Sequence, residues 1–192
     1  MKKLNVAVSI LFLLCVSSSP LAQNPRNDVD GTILLGQHYS FILKEPAGWV
    51  IDGSSAKSQG LNAVLYREGS SWKTGVAVMY ARIIYKDEEK PTVERVITED
   101  VNDFLKQNRE STVSESPVLQ TRDKKRAVVK GFYDAANKNY ESVAFIDEPK
   151  VVVILALSSR NKDEFEKSLP AFKALVSSYF FVKELAPAAV TW

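Results

Sequence analysis

From Ser116 to Ser158 the chain runs through four strand-like segments whose connectors leave it no choice but to double back. The segments are 116–121, 126–134, 139–147 and 150–158, and the connectors read RDKK, AANK and EP. A parallel pair needs a crossover of about a dozen residues or more, so these neighbours must be antiparallel. The fourth segment, Val151 to Ser158, is apolar without alternation. A half-solvated strand alternates, so this one is central and covered on both faces, with helices on both sides of its sheet.

The rest of the chain supplies those layers. Leu61–Tyr66 and Thr74–Tyr85 are strand candidates, the second carrying Val76, Val78 and Tyr80 on one face and Ala77, Met79, Ala81 and Ile83 on the other. Both faces are apolar, so both are expected to be covered. Shorter extended pieces are read at 33–35, 38–43 and 49–51, with a turn at Pro46-Ala47-Gly48 and a polar loop over 52–60. Two stretches have helical periodicity. Residues 92–107 place Val93, Val96, Ile97, Val101, Phe104 and Leu105 on one side, with Thr92 as N-cap and Glu99, Asp100, Asp103 and Lys106 on the other. Residues 162–179 follow Asn161, and Pro170 predicts either a kink or a fresh start capped by Ser168. The expected class is α+β: an α/β/α sandwich with one mainly antiparallel central sheet and helices on both faces.

The first 22 residues read differently. Lys2 and Lys3 precede an apolar run from Leu4 to Val16, and small residues follow up to Ala22. That is the order of a secretory signal peptide, and the run is short for a bilayer span of about 20 residues. Cleavage is placed after Ala22, with Ser18 as the alternative. Residues 23–36 are then a linker or short N-terminal strand, 37–182 the domain, and 183–192 a tail. The segment holds two of the 25 Lys+Arg and none of the 23 Asp+Glu. The mature chain is therefore neutral and lacks the global charge that marks nucleic-acid binders. It also contains no Cys, since the one Cys in the chain is Cys15. Within the signal, Cys15 offers an alternative reading as a lipidation site, although Leu14 stands where that processing favours a small residue.

Catalytic motifs fail on their chemistry. Gly31-x-x-x-x-Gly36 is followed by Gln37 and His38, not by the Lys and hydroxyl that a phosphate loop needs. Asp28-x-Asp30-Gly31 lacks the carboxylate at the far vertex of a calcium loop. The Ser-x-x-Lys matches at Ser54 and Ser70 lie in Ser/Gly loops, away from any helix start. His38 is the single His, so a Ser-His-Asp triad and the common zinc sites are without support, and no metal or cofactor is expected. Glu99 and Asp103 share a helix face, where such pairs ordinarily stay solvated.

Two binding candidates remain. Arg122, Lys124, Lys125 and Arg126 cluster at a hairpin tip, either to meet an anionic partner or as a solvated turn that blunts an edge. Trp72 lies in the polar loop Gly69-Ser70-Ser71-Trp72-Lys73, either exposed for recognition or folded back on the sheet. Trp49 is read as a core anchor.

The opening Tyr39-Ser40-Phe41 … Pro46-Ala47-Gly48-Trp49, the central helix, the late antiparallel strands and the closing Phe172 … Val176-Ser177-Ser178-Tyr179-Phe180 resemble the PsbP-like family over residues 37–182. The resemblance implies the α/β/α sandwich. Plant members of that family are extrinsic lumenal subunits assisting photosystem II, a related nuclear protein binds the GTPase Ran, and many bacterial members are exported with no assigned role. The family carries no shared catalytic motif, so it implies no active-site residue. The expectation is an exported accessory or binding domain, periplasmic or secreted, non-enzymatic, with a protein partner in the cell envelope. The alternatives are an enzyme using unmarked carboxylates or hydroxyls, and an envelope protein tethered through Cys15.

Overall fold

The structure, a computed structural model, describes residues 30–36, 39–107 and 110–182. The signal segment with Cys15, the linker up to residue 29, His38 and the tail 183–192 lie outside the described residues. In chain order the elements are β1 (Thr32–Gly36), β2 (Tyr39–Leu43), β3 (Trp49–Asp52), α1 (Gly53–Lys57), β4 (Ala63–Arg67), β5 (Ala77–Tyr85), α2 (Val93–Gln107), β6 (Thr112–Gln120), β7 (Arg126–Asp134), β8 (Asn139–Asp147), β9 (Val151–Ser159), α3 (Lys162–Ser178) and β10 (Phe180–Val182). The class is α+β, and every strand pairing among these elements is antiparallel.

The uniformly apolar run becomes β9 and sits at the centre of a seven-stranded sheet ordered β3-β4-β5-β9-β8-β7-β6. All of it is buried except Ser158, which is half-buried. Its two faces feed two separate cores. Val151, Val153, Leu155 and Leu157 join Ala81, Ile146 and Met79 beneath Phe172, Leu175, Val176 and Tyr179 of α3. Val152, Ile154 and Ala156 join Phe145 and Val143 beneath Val93 and Val96 of α2.

Four local outcomes differ from the sequence reading. First, there are two sheets, not one: β1, β2 and β10 form a three-stranded sheet of their own. The turn before Trp49, closed by the Trp49 N–H on the Pro46 carbonyl at 3.0 Å with Gly48 at φ +73°, separates β2 from β3. β2 pairs with β1 and, across 138 residues of chain, with Phe180–Val182. Its inward residues Phe41 and Leu43 then close the α3-side core. Second, part of the 52–60 loop is the one-turn helix α1. Asp52 accepts from the Ser55 N–H at 2.9 Å and the Ser54 hydroxyl at 2.7 Å, and Ala56 is buried beneath the turn. Third, α3 runs through Pro170 as one helix capped by Asn161, and Ser168 is buried within it instead of capping a second start. Fourth, β6 starts at Thr112, four residues earlier than read, and a register shift between Ser116 and Leu119 absorbs Pro117. Pro cannot donate to a ladder, and an edge-strand bulge is where it is tolerated.

Candidate functional site

The chain entering β5 is uncovered. The sequence places Val76 within a strand covered on both faces, yet β5 begins only at Ala77 and Val76, just before it, is 60% exposed. Strand register shows what lies there. Val78 stands opposite Ser158, and Ser158 opposite Glu141, so all three point to the α2 side. Along the same face Tyr80 and Arg82 stand opposite Ala156 and Ile154 of the α2-side core.

Two adjoining hollows occupy this ground. One, of about 300 Å³, lies between the second half of α2 and the sheet, lined by Tyr80, Arg82, Asp100, Phe104, Phe132 and Glu141 among others. The second, of about 570 Å³, is bounded by Trp72, Lys73, Val76, Asn139, Ser158 and Arg160. Trp72 is half-buried and meets Tyr80 edge-on at 6.4 Å. The indole therefore leans on the sheet while still forming a wall of the larger hollow.

Glu141 stands between the two. Its carboxylate accepts from the Asn139 amide at 3.0 Å, and that amide also meets the Ser158 hydroxyl at 3.0 Å. Burial pushes the Glu141 carboxyl above its usual range; Ser158 and Asn139 pull it back, Asp100 adds to the rise and Arg82 offsets it. Burial and the Glu141 charge also push the Tyr80 hydroxyl up. Arg82 holds Asp100 at 2.9 Å, while its Nε is buried with no hydrogen-bond partner among the described residues. Asp100 thus leaves the outer face of α2, where the periodicity placed it. Glu99 and Asp103 each have their own cations, Arg95 at 2.8 Å and Lys90 at 3.4 Å for the first, Lys106 at 3.1 Å for the second.

The basic cluster is elsewhere, at the opposite end of the strands. Lys124 takes the left-handed conformation at φ +66°. The Lys125 N–H returns to the Thr121 hydroxyl at 3.0 Å. The Lys125 ammonium pairs with Glu148, whose other oxygen accepts from the Tyr179 hydroxyl at 3.0 Å. Arg122 donates its N–H to the Tyr179 carbonyl at 3.0 Å and stacks over Phe180, and Lys125 lies over Phe181. The loop is stitched to the end of α3 and to β10, leaving Arg122, Lys124 and Arg126 exposed. Trp72 and the cluster are not brought together. Trp49 is a core residue, 3% exposed with the Arg67 guanidinium 5.1 Å above its ring.

Tyr80, Arg82, Asp100 and Glu141 escaped the sequence reading. The available signal was parity: Glu141 shares its face with Val143 and Phe145, and Asp100 lies one helical turn from Val96 and Ile97. A charged residue on an apolar face marks a buried polar site. Among the described residues no group of three or more His, Cys, Asp or Glu is gathered to hold a metal ion, and no helix is long and apolar enough to cross a membrane.

An antiparallel sheet with α3 on one face and α2 on the other, plus a small accessory sheet, defines an α+β class that is shared with solved structures. The fold is PsbP-like. Cyanobacterial PsbP (CyanoP) from Synechocystis superposes with a TM-score of 0.50 at 12% identity, covering 85% of this chain and all of that one. LpqN, described as involved in cell envelope biogenesis of Mycobacterium tuberculosis, superposes with a TM-score of 0.54 at 12% identity, covering 79% of this chain and 90% of that one. No protein-family model and no curated protein matches this chain by sequence.

Proposed function

We propose that this chain is an exported, non-enzymatic accessory or binding domain of the cell envelope, built as an α/β/α sandwich, whose binding site is the pair of neighbouring α2-side hollows, the smaller around Glu141 and the larger walled by Trp72. The observation that carries the reading is the pair of hollows beside the entry to β5: a half-buried carboxylate against apolar side chains in one, and a half-buried indole walling the other. Such convergence of a few polar groups on an apolar concavity is what binding sites have in common. The envelope role of LpqN and the accessory class of PsbP-like proteins support the same reading. The exposed Arg122, Lys124 and Arg126 form a second contact patch for an anionic partner, at the other end of the sheet. Capture from envelope fractions tests the proposal: the wild-type domain retains a partner that Trp72→Ala loses. Equal capture by both would overturn the assignment of the site.

A carboxylate enzyme is the second reading, favoured by Glu141 and Asp100 lining one hollow. Acid–base work needs two carboxyls with separated proton affinities and a free base. Asp100 is committed to Arg82, which weighs against it. Anchoring through Cys15 is a third, and intact-mass measurement of the mature protein decides it: a diacylglyceryl mass on a chain beginning at Cys15 replaces free export.

A further inference from the structure

The smaller hollow has a charge left unbalanced. Three carboxylates line it, Asp100, Asp103 and Glu141, against one guanidinium, Arg82. Arg82 is taken by Asp100 at 2.9 Å, and Asp103 is met by Lys106 at 3.1 Å. Glu141 is left with neutral hydrogen-bond partners, the Asn139 amide and the Ser158 and Tyr80 hydroxyls, and feels Arg82 only through its charge. Lys73 and Arg160 belong to the neighbouring hollow. A carboxylate withdrawn from water and held by neutral donors is costly, and an incoming cation removes that cost. Beyond the Gln107 amide and the Tyr80 ring with its hydroxyl, the remainder of the lining is apolar: Leu61, Phe104, Phe132, Val143 and Ile154. These side chains offer nothing to a hydrated metal ion, which wants several oxygen ligands, and much to a hydrocarbon body. A space of about 300 Å³ accommodates about ten water-sized groups at roughly 30 Å³ each.

Resting on the site proposed above, we infer that the hollow takes an organic cation: an ammonium set against Glu141, carried on an aliphatic or aromatic stem that packs on Phe104 and Phe132. Two sources present that chemistry, a free amine and a lysine side chain of a partner protein. Tyr80 flanks the carboxylate from β5, so the stem enters between its ring and the second half of α2.

Titration calorimetry on the mature chain tests this with phenethylamine, phenethyl alcohol, phenylacetate and a blocked lysine, N-acetyl-lysine methylamide. The ammonium ligand should bind about tenfold or more tighter than the alcohol, as a charge-assisted hydrogen bond implies, and phenylacetate not at all. Glu141→Gln should erase the preference for the amine while leaving the alcohol unchanged. In the wild type, affinity for the amine should fall as pH drops through the titration of Glu141, with Asp100 of α2, Arg82 of β5 and the Tyr80 hydroxyl of β5 the charged and titratable groups facing it; this readout needs no variant. Blocked lysine binding as well as phenethylamine assigns the cation to a partner's side chain, and binding of the free amine alone assigns it to a small molecule. Equal affinity for amine and alcohol, or an amine affinity indifferent to Glu141→Gln and to pH, overturns the cation while leaving the site in place. Failure of every probe to bind, with envelope capture also indifferent to Trp72→Ala, overturns both.

Discussion

Glu148 is 1% exposed and sits in the turn between β8 and β9, and it is the anchor of the hairpin tip that the sequence presents as a solvated basic cluster. Burial pushes its carboxyl up; Lys125, through hydrogen bond and charge, and Tyr179 pull it back. Removing Lys125 would strand a buried carboxylate. Lys125→Met should destabilise by about 2–3 kcal/mol, below the 3–5 of a wholly buried pair because the lysine side chain is about a third exposed. Tyr179→Phe leaves one oxygen without its donor and should cost about 1–3 kcal/mol. Urea titration measures both, and an effect under half a kcal/mol would refute the clasp. Glu141 gives the opposite sign. Its carboxyl is raised in the folded protein, so the folded state disfavours its charge, and the penalty grows as pH rises from the ordinary carboxylate range through the raised value. Glu141→Gln should match the wild type in acid and exceed it in urea midpoint at neutral pH. Identical midpoints across that span would show that the group is solvated.

At the scale of elements, long periodic segments were readable and short or distant ones were not. β9, α2 and α3 each carry enough repeated apolar positions to declare themselves. α1 exists because Asp52 caps it, a matter of one side chain and not of periodicity. β10 is three residues long and becomes a strand only because β2 offers an unpaired edge far earlier in the chain. Pro170 was legible as a helix disturbance, but its outcome was set by tertiary packing. Phe165, Leu169 and Phe172 on either side of it are held against the sheet, so the helix continues with one donor missing. Pro170 is itself exposed, and the Glu166 carbonyl is the acceptor left without that bond. Pro170→Ala should restore it and stabilise the protein by about 1–3 kcal/mol, read as a raised Tm. An unchanged or lowered Tm would mean that the proline ring contributes packing the backbone bond cannot replace.

Across the whole molecule the same strand, β8, connects the two polar features. Glu141 lies near its start and Glu148 just beyond its end, seven residues on, or about 23 Å of extended chain. The hollow could not be read from sequence because it depends on the registers of β5 against β9 and β9 against β8 together, which bring Val78, Ser158 and Glu141 into one row. The clasp likewise needs Thr121–Lys125, Glu148 and Tyr179 to converge from three elements. Between the two ends runs the apolar centre of the sheet, with no shared polar partner among the described residues, and substitutions so separated should act independently. Lys125→Met and Tyr179→Phe should therefore lower stability while leaving phenethylamine affinity within about twofold of the wild type. Glu141→Gln should do the reverse, abolishing the amine preference while raising the midpoint at neutral pH. Calorimetry and urea titration on the same three variants read both quantities. If the clasp variants weakened the amine as strongly as Glu141→Gln does, the two ends would be coupled through β8, and the hollow would be a property of the whole sheet instead of a local site.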